Sequence, residues 1–148
     1  MRHFLILAPL ALLAACSPEP AAEANVTITD PWCRPAAAGA GSVGCYVTLQ
    51  AATDDRLTAV ASPAAARGEI HTMTMDDGVM RMRELPDGLP LPAGESVALK
   101  PGAEHIMLIG PTGPLDEGTE VSLTLTFEAA PAQTVMAQIR SAPHGMGH

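Results

Sequence analysis

After residue 25, apolar and polar residues alternate in short runs, and the periodicity of an amphipathic helix is nearly absent. In the clearest run, EVSLTLTFE, four apolar side chains of residues 121–127 fall on one face and three hydroxyl side chains on the other. Similar runs are NVTITD, VGCYVTLQ, RLTAVAS, EIHTMTM, VMRMREL, SVALK, HIMLIG and TVMAQIR, separated by turn clusters with Gly and Pro. Many short strands with such turns predict an all-β domain over residues 26–140, an antiparallel sandwich or barrel.

One face of a predicted hairpin carries a histidine and four methionines. The segment EIHTMTMDDGVMRMRE has an Asp-Gly pair between two alternating runs, the strongest short-range signal for a hairpin. If Asp77 and Gly78 form the loop, alternation places three cross-strand pairs on one face. These pairs are His71 with Glu84, Met73 with Met82, and Met75 with Met80. Diagonal neighbours across an antiparallel pair lie about 7–8 Å apart, so His71 and Met82 can bind one ion.

The segment HIML supplies a second histidine–methionine pair. His105 and Met107 are two positions apart on a strand and therefore share a face. The candidate ligands are then His71, Met82, His105 and Met107, a set without carboxylate or thiolate. Zinc and hard cations prefer thiolate, imidazole or oxygen, whereas thioether with imidazole selects Cu(I). A blue-copper site needs a cysteine ligand, and Cys33 and Cys45 have no histidine within twenty residues.

Core packing is the alternative explanation of the same side chains. Methionine often fills gaps in a core, and we expect Met75 and Met80, next to the turn, to be core residues. Met73 faces Met82 directly and can substitute for it as a ligand. A single strand histidine is more often a hydrogen-bonded structural residue than a ligand. Two histidine–methionine pairs close together in one chain nevertheless indicate a metal site.

The N-terminal segment predicts export and lipid anchoring. Residues 1–15 contain Arg2 followed by an apolar run that is too short to span a bilayer, as in a secretory signal peptide. The run ends in LAAC, which resembles a bacterial lipobox, so we expect Cys16 to become the lipidated first residue. Residues 16–25 are then a small, acidic tether between membrane and domain. The alternative is an ordinary signal peptide with an incidental cysteine.

Charge and cysteine content limit the remaining classes of function. With 16 acidic and 8 basic residues the formal net charge is −8, which argues against nucleic acid as a partner. Cys33 and Cys45 are left in the predicted domain, and such a pair in an oxidising compartment most often forms a disulfide. Their spacing is not C-x-x-C, so a redox-active pair is less favoured.

The motifs taken together resemble a known family. Ten residues separate His71 from Met82, twenty-two separate Met82 from His105, and Met107 completes His-x-Met. This pattern is similar to that of periplasmic copper chaperones of the PCuAC type, with one extra residue in the segment PDGLPLPAG. The stretches WCRP, GVMRMR, LKPG, HIML and LTLTFE add to the resemblance. It implies a cupredoxin-like antiparallel β-sandwich of Greek-key topology that binds Cu(I) at an exposed site formed by these four residues.

The resemblance also implies partners and further sites. PCuAC proteins are associated with copper delivery to the CuA centre of cytochrome c oxidase, so the expected partner is that subunit or another copper chaperone. Cys33 and Cys45 depart from the family pattern and are interpreted as an added cross-strand disulfide. The tail, residues 141–148, resembles the His/Met-rich extensions of some members. A candidate secondary metal site, with Cu(II) at the tail imidazoles, comprises Met73, His144, Met146 and His148.

The leading hypothesis is therefore a copper-transfer protein of the periplasm that is not an enzyme. One alternative is a lipoprotein whose sandwich binds a protein partner and whose methionines form an adhesive patch. Another alternative is a thiol-disulfide enzyme that uses Cys33 and Cys45.

Overall fold

The computed structural model describes residues 23–142, which form ten β-strands. The strands are β1 (Val26–Cys33), β2 (Ser42–Ala51), β3 (Asp55–Ala61), β4 (Ala65–Asp76), β5 (Val79–Glu84), β6 (Leu89–Leu91), β7 (Ser96–Leu99), β8 (His105–Pro111), β9 (Glu120–Phe127) and β10 (Gln133–Ile139). All nine runs predicted as strands are strands, and β6 is a further short strand inside a Pro- and Gly-rich segment. The predicted signal peptide, Cys16 and the tail residues His144, Met146 and His148 lie outside the described residues.

The strands form one hydrogen-bonded path that folds into a sandwich. The order along the path is β5-β4-β8-β2-β1-β10-β9-β3-β6, and β7 pairs with β2. Strand β3 also lies against β4, and β2 against β6, although neither pair is hydrogen-bonded in the path. The expected all-β, cupredoxin-like sandwich is confirmed, but β1 and β10 pair in parallel and the sheet is therefore mixed. Between residues 23 and 142 no helix is long and apolar enough to cross a membrane.

Aliphatic side chains fill the interior of the sandwich. The largest fully buried ones are Leu49, Leu57, Leu91, Ile106, Leu108, Leu123, Leu125 and Ile139. Strand β9 shows the predicted alternation, because residues 121, 123, 125 and 127 are buried and the hydroxyl side chains between them are not. Burying each such aliphatic side chain contributes about 1.5–3 kcal/mol. This core fixes the strands whose opposite face carries the predicted ligands.

A disulfide joins the first two strands. Cys33 on β1 lies directly opposite Cys45 on β2, and the two are bonded and fully buried on the core face. Their sequence neighbours Trp32 and Tyr46 are also paired across β1 and β2, on the opposite face. Because no thiol reagent or substrate can reach a fully buried pair without unfolding, this position argues against a thiol-disulfide enzyme.

The methionine hairpin has the predicted register. Asp77 and Gly78 both have positive φ angles, 51° and 78°, and form the two-residue turn between β4 and β5. The cross-strand pairs are the predicted ones, from His71 with Glu84 to Asp76 with Val79. The expectation that Met75 and Met80 are core residues is wrong, since they are 63% and 48% exposed. Strand β5 is the last of the path and every one of its residues is exposed, so no part of residues 23–142 covers this end of the hairpin.

Candidate metal centre

Three neighbouring strands bring predicted ligands to the outer face of the sheet. Strands β4 and β8 pair so that His71 lies directly opposite His105, with ring centroids 5.7 Å apart. On the other side of β4, strand β5 places Met82 opposite Met73 and diagonal to His71. Both histidines are buried, whereas Met82 is 50% exposed. The imidazoles therefore form the inner part of the candidate site and Met82 its solvent-facing side.

His105 presents one ring nitrogen to the sulfur of Met82. Its Nδ1–H donates a hydrogen bond to the carbonyl oxygen of Ala103 over 2.8 Å. In this tautomer the lone pair is on Nε2, which lies 3.1 Å from Sδ of Met82. An imidazole nitrogen and a thioether thus converge from strands β8 and β5. Together they can bind one soft cation after a small displacement of the exposed methionine.

His71 is held by a carboxylate. Its Nε2 lies 2.7 Å from Oε2 of Glu69, and the other oxygen of Glu69 accepts a hydrogen bond from Nε of Arg67 over 2.6 Å. The hydrogen bonds from Arg67 and then His71 lower the pKa of Glu69, which keeps this carboxylate anionic. Nδ1 of His71 is buried and has no hydrogen-bond partner within residues 23–142. With the proton on Nε2, Nδ1 is the nitrogen that has an unused lone pair.

Glu69 is a carboxylate beside the candidate ligands that the sequence analysis did not include. Glu69 lies two positions before His71 on β4 and shares its face, so strand alternation alone was a sufficient signal to include it. In the structure Glu69 accepts the hydrogen bond of an imidazole. Residues 23–142 contain no group of three or more His, Cys, Asp or Glu arranged to hold a metal ion. The unused donors gathered here are two imidazole nitrogens and neighbouring thioethers.

Met107 lies two residues after His105 on β8 and shares its face. It is opposite Glu69 on β4 and opposite Gly44 on β2, and it is half-buried. The structure thus brings His71, His105 and Met82 together and sets Met107 in the adjacent row. Met73 lies opposite Met82 and is also half-buried, as an additional thioether at the outer side of the site.

Aromatic side chains close the side of the site that is away from the hairpin. The ring centroid of Tyr46 lies 6.4 Å from that of His105, and the Trp32 ring lies 4.5 Å beyond Tyr46. Nε of Arg34 donates a hydrogen bond to the Tyr46 hydroxyl over 3.1 Å. A β-carbon at Gly44 would lie 2.8 Å from this hydroxyl, so a larger residue there would displace the Tyr46 ring from its position beside His105. The motif WCRP contains Trp32 and Arg34, but the sequence did not reveal that they pack with Tyr46 beside His105.

A family model matches residues 26–139 and is described as "Putative lipoprotein LpqE-like". Among individual proteins, "Putative lipoprotein Lxx21020" of Leifsonia xyli subsp. xyli is 29% identical in an alignment of 131 positions that covers 86% of this chain and 78% of that protein. "Uncharacterized protein RP573" of Rickettsia prowazekii is 32% identical over 112 residues. The matched region is 72% of this chain and 62% of the Rickettsia protein.

Solved structures share the fold at low sequence identity. The copper-bound PCuAC domain from PmoF2 matches with a TM-score of 0.66 and 24% identity, over 82% of this chain and 97% of that domain. The Cu(I) form of DR1885 from Deinococcus radiodurans matches with a TM-score of 0.57 and 24% identity, over 86% and 83% of the two chains. The expected likeness to PCuAC domains is confirmed by this common fold. Since the family model matches nearly the whole described region, the chain belongs to the LpqE-like family.

Proposed function

We propose that this protein is an extracytoplasmic copper chaperone that binds Cu(I) through His71, Met82, His105 and Met107. The observation that carries the proposal is the arrangement of the two imidazoles. Each gives one N–H to a fixed acceptor, the Glu69 carboxylate or the Ala103 carbonyl, and keeps one lone pair unused. Ligating histidines in metalloproteins are oriented in this way by acceptors behind them. Imidazole with thioether is the donor set that suits Cu(I).

The structural neighbours support the same conclusion. The PmoF2 domain is copper-bound and the Deinococcus protein carries Cu(I), and both share the fold of this chain. The spacing of histidines and methionines resembles that of PCuAC proteins and falls on adjacent strands of this fold. Fold and donor chemistry therefore support copper as the cargo independently of each other.

The position of the donors supports transfer of the ion to an acceptor. Thioethers are neutral and do not compete with protons, so Met82 and Met107 can hold and release the ion without proton transfer. Met82 is the most exposed of the four proposed ligands and lies on an edge strand, where an incoming ligand of the acceptor meets it first. In the proposed mechanism the acceptor replaces Met82 and then the remaining ligands one by one. The ion only exchanges its ligands, and no substrate is chemically converted. The protein is therefore not an enzyme in this proposal.

Location and acceptor are further parts of the proposal. The description of the family and of the Leifsonia relative as lipoproteins supports export and anchoring through Cys16. In the periplasm the acceptor would be the CuA subunit of cytochrome c oxidase or another copper chaperone, in line with the resemblance to PCuAC proteins. The candidate Cu(II) site of the tail, with His144, Met146 and His148, stays a proposal.

A protein-binding lipoprotein is the second candidate function. It is favoured by the exposed apolar side chains at the hairpin end, Met75, Val79 and Met80. It differs from the first candidate in one decisive property, because a protein-binding surface does not need the two imidazoles to hold unused lone pairs.

Copper binding to the exported, mature protein tests the proposal. We expect one Cu(I) to bind in competition with a chromophoric chelator, and X-ray absorption to report two nitrogen and two sulfur neighbours. Met136 on β10 is 50% exposed and lies outside the site, so Met136→Leu is the control and should bind as the wild type does. A copper environment without sulfur, or no binding at all, would leave the second candidate.

A further inference from the structure

The end of the hairpin carries a second thioether pair beyond the proposed ligands. Met75 on β4 lies directly opposite Met80 on β5, on the same face as the Met73–Met82 pair and two residues closer to the turn. Directly opposite residues of an antiparallel pair have β-carbons about 4.5–5.5 Å apart. Methionine side chains are long, unbranched and flexible. The two sulfurs can therefore converge on one ion.

Neither packing nor strand propensity explains these two methionines. They are 63% and 48% exposed, so they fill no gap in a core. Edge strands are usually protected by charged side chains, and β-branched or aromatic residues favour strand formation more strongly. Around the Met75–Met80 pair the charges lie on the other face, where Arg83 donates a hydrogen bond to Asp76 over 2.6 Å. The face with the methionines has exposed thioethers instead.

The geometry points to a second soft-metal site at Met75 and Met80, through which Cu(I) enters or leaves the main site. This inference rests on the function proposed above. Residues two apart on a strand are about 6.6–6.8 Å apart, so the Met75–Met80 pair lies one side-chain length from the Met73–Met82 pair. The ion moves when its bond to the sulfur of Met82 breaks and a bond to the sulfur of Met80 or Met75 forms. Copper stays Cu(I), the thioethers stay neutral, and no proton or electron is transferred.

The probe for this site is Ag(I), a soft monovalent ion that undergoes no redox change under these conditions. The exported protein with ¹³C-labelled methionine methyl groups is titrated and followed by NMR. We expect the first equivalent to shift the methyl signals of Met82 and Met107. Further Ag(I) should shift those of Met75 and Met80 with weaker affinity. Methyl signals of Met75 and Met80 that do not move overturn the inference.

A double variant separates the second site from the main one. Met75→Leu with Met80→Leu should bind the first Cu(I) as tightly as the wild type, because the four proposed ligands are intact. Its transfer of Cu(I) to a chelator in stopped flow should be slower by about tenfold, an increase of ~1.4 kcal/mol in the barrier. Met136→Leu, an equally exposed methionine on β10, should transfer at the wild-type rate. Equal rates in all three proteins would overturn the inference.

Failure of the main proposal has a different signature. If the wild type shows no high-affinity Cu(I) site, the proposed function is wrong. If the wild type binds one Cu(I) tightly and only the two tests of Met75 and Met80 are negative, the function stands and the second site is wrong. His105→Ala should abolish tight binding but leave the weak shifts of the Met75 and Met80 methyl groups.

Discussion

At the scale of the residue, a histidine binds a metal through the ring nitrogen that carries the lone pair, and the acceptor of the other N–H decides which one that is. His105 gives its Nδ1–H to a main-chain carbonyl, which moves only with the backbone. His71 depends instead on the side chain of Glu69, which Arg67 orients in turn. The two imidazoles thus differ in how easily substitution can disturb them.

Removal of the Glu69 carboxylate is the most direct test of this difference. In Glu69→Ala, His71 loses the acceptor that selects its tautomer, so we expect Cu(I) affinity to fall by about 10–100-fold. Glu69→Gln keeps an oxygen acceptor and should lose less. Chelator competition measures the affinity, and ¹⁵N chemical shifts of the metal-free protein report the His71 tautomer.

Arg67→Ala is the control for the Glu69 variants. It removes one hydrogen bond to Glu69 but leaves the bond from Glu69 to His71, so its effect on affinity should be smaller than that of Glu69→Ala. Wild-type affinity and an unchanged His71 tautomer in Glu69→Ala would show that this carboxylate has no part in metal binding.

The four methionines should contribute unequally to Cu(I) affinity although their side chains are chemically the same. Substitution by leucine conserves volume, so each variant should lose less than ~1.5 kcal/mol of unfolding free energy. Met82→Leu and Met107→Leu should lower Cu(I) affinity strongly, because each removes a proposed ligand. Met73→Leu should have a smaller effect, and Met75→Leu almost none on affinity, since Met75 lies one pair further from His71. Equal affinities in all four variants would leave the site without thioether ligands.

At the scale of the element, β1 and β2 lie beside the strands that carry the proposed ligands and are cross-linked to each other. Their core face carries the Cys33–Cys45 disulfide, and their outer face carries Trp32 and Tyr46, which pack toward His105. The hairpin of β4 and β5 is the opposite case, because β5 is exposed along its whole length. One side of the candidate site is therefore fixed, and the other is accessible.

The disulfide should matter for stability more than for copper. Replacing both cysteines by alanine removes a cross-link between residues 12 positions apart, for which we expect a loss of about 2–3 kcal/mol. The register of β1 and β2 also rests on main-chain hydrogen bonds, so Cu(I) affinity in the folded variant should stay near that of the wild type. Urea unfolding measures the first quantity and chelator competition the second.

Mass spectrometry of the exported wild type provides the control for the cysteine pair. Under denaturing conditions it should detect no free thiol at Cys33 or Cys45. Two free thiols there, or a double variant as stable as the wild type, would contradict the role assigned to the disulfide.

At the scale of the whole molecule, local features were predictable from the sequence and long-range pairings were not. The register of the methionine hairpin follows from an Asp-Gly turn and alternation, both of which are local. Alternation shows which side chains share a face of the strand, but it does not show whether another part of the protein covers that face. The prediction that Met75 and Met80 are core residues was wrong for this reason. The opposition of His71 and His105 depends on pairing of β4 with β8, and the parallel contact of β1 with β10 is equally non-local. The residue pattern proposed both histidines as ligands, but it could not show that they lie directly opposite each other.

The carboxylate of Asp55, at the start of β3, links this strand to a neighbouring segment by hydrogen bonds. Asp55 accepts hydrogen bonds from the main-chain N–H groups of Arg56, Ala129 and Ala130, and so ties β3 to the segment between β9 and β10. Burial raises the pKa of Asp55, but the hydrogen bonds from Ala129, Arg56, Ala130 and Glu128 outweigh it, and the net pKa lies below the ordinary value of 3.8. The charged form is therefore favoured in the folded protein.

This pKa sets the sign of a pH dependence. The unfolded chain binds the proton of Asp55 more readily than the folded one, so the contribution to stability is complete above pH 3.8 and is lost as the pH falls through the lower folded pKa. Asp55→Asn, which keeps the shape but loses the charge, should lower the unfolding free energy by about 1–3 kcal/mol at neutral pH. The difference between the two proteins should shrink below pH 4, as followed by urea unfolding across pH. Cu(I) affinity at neutral pH should not change, because Asp55 is hydrogen-bonded to Arg56, Ala129 and Ala130, none of which lies on a strand that carries a proposed ligand. A gap in stability that stays constant down to pH 2 would show that Asp55 acts by packing rather than by its charge.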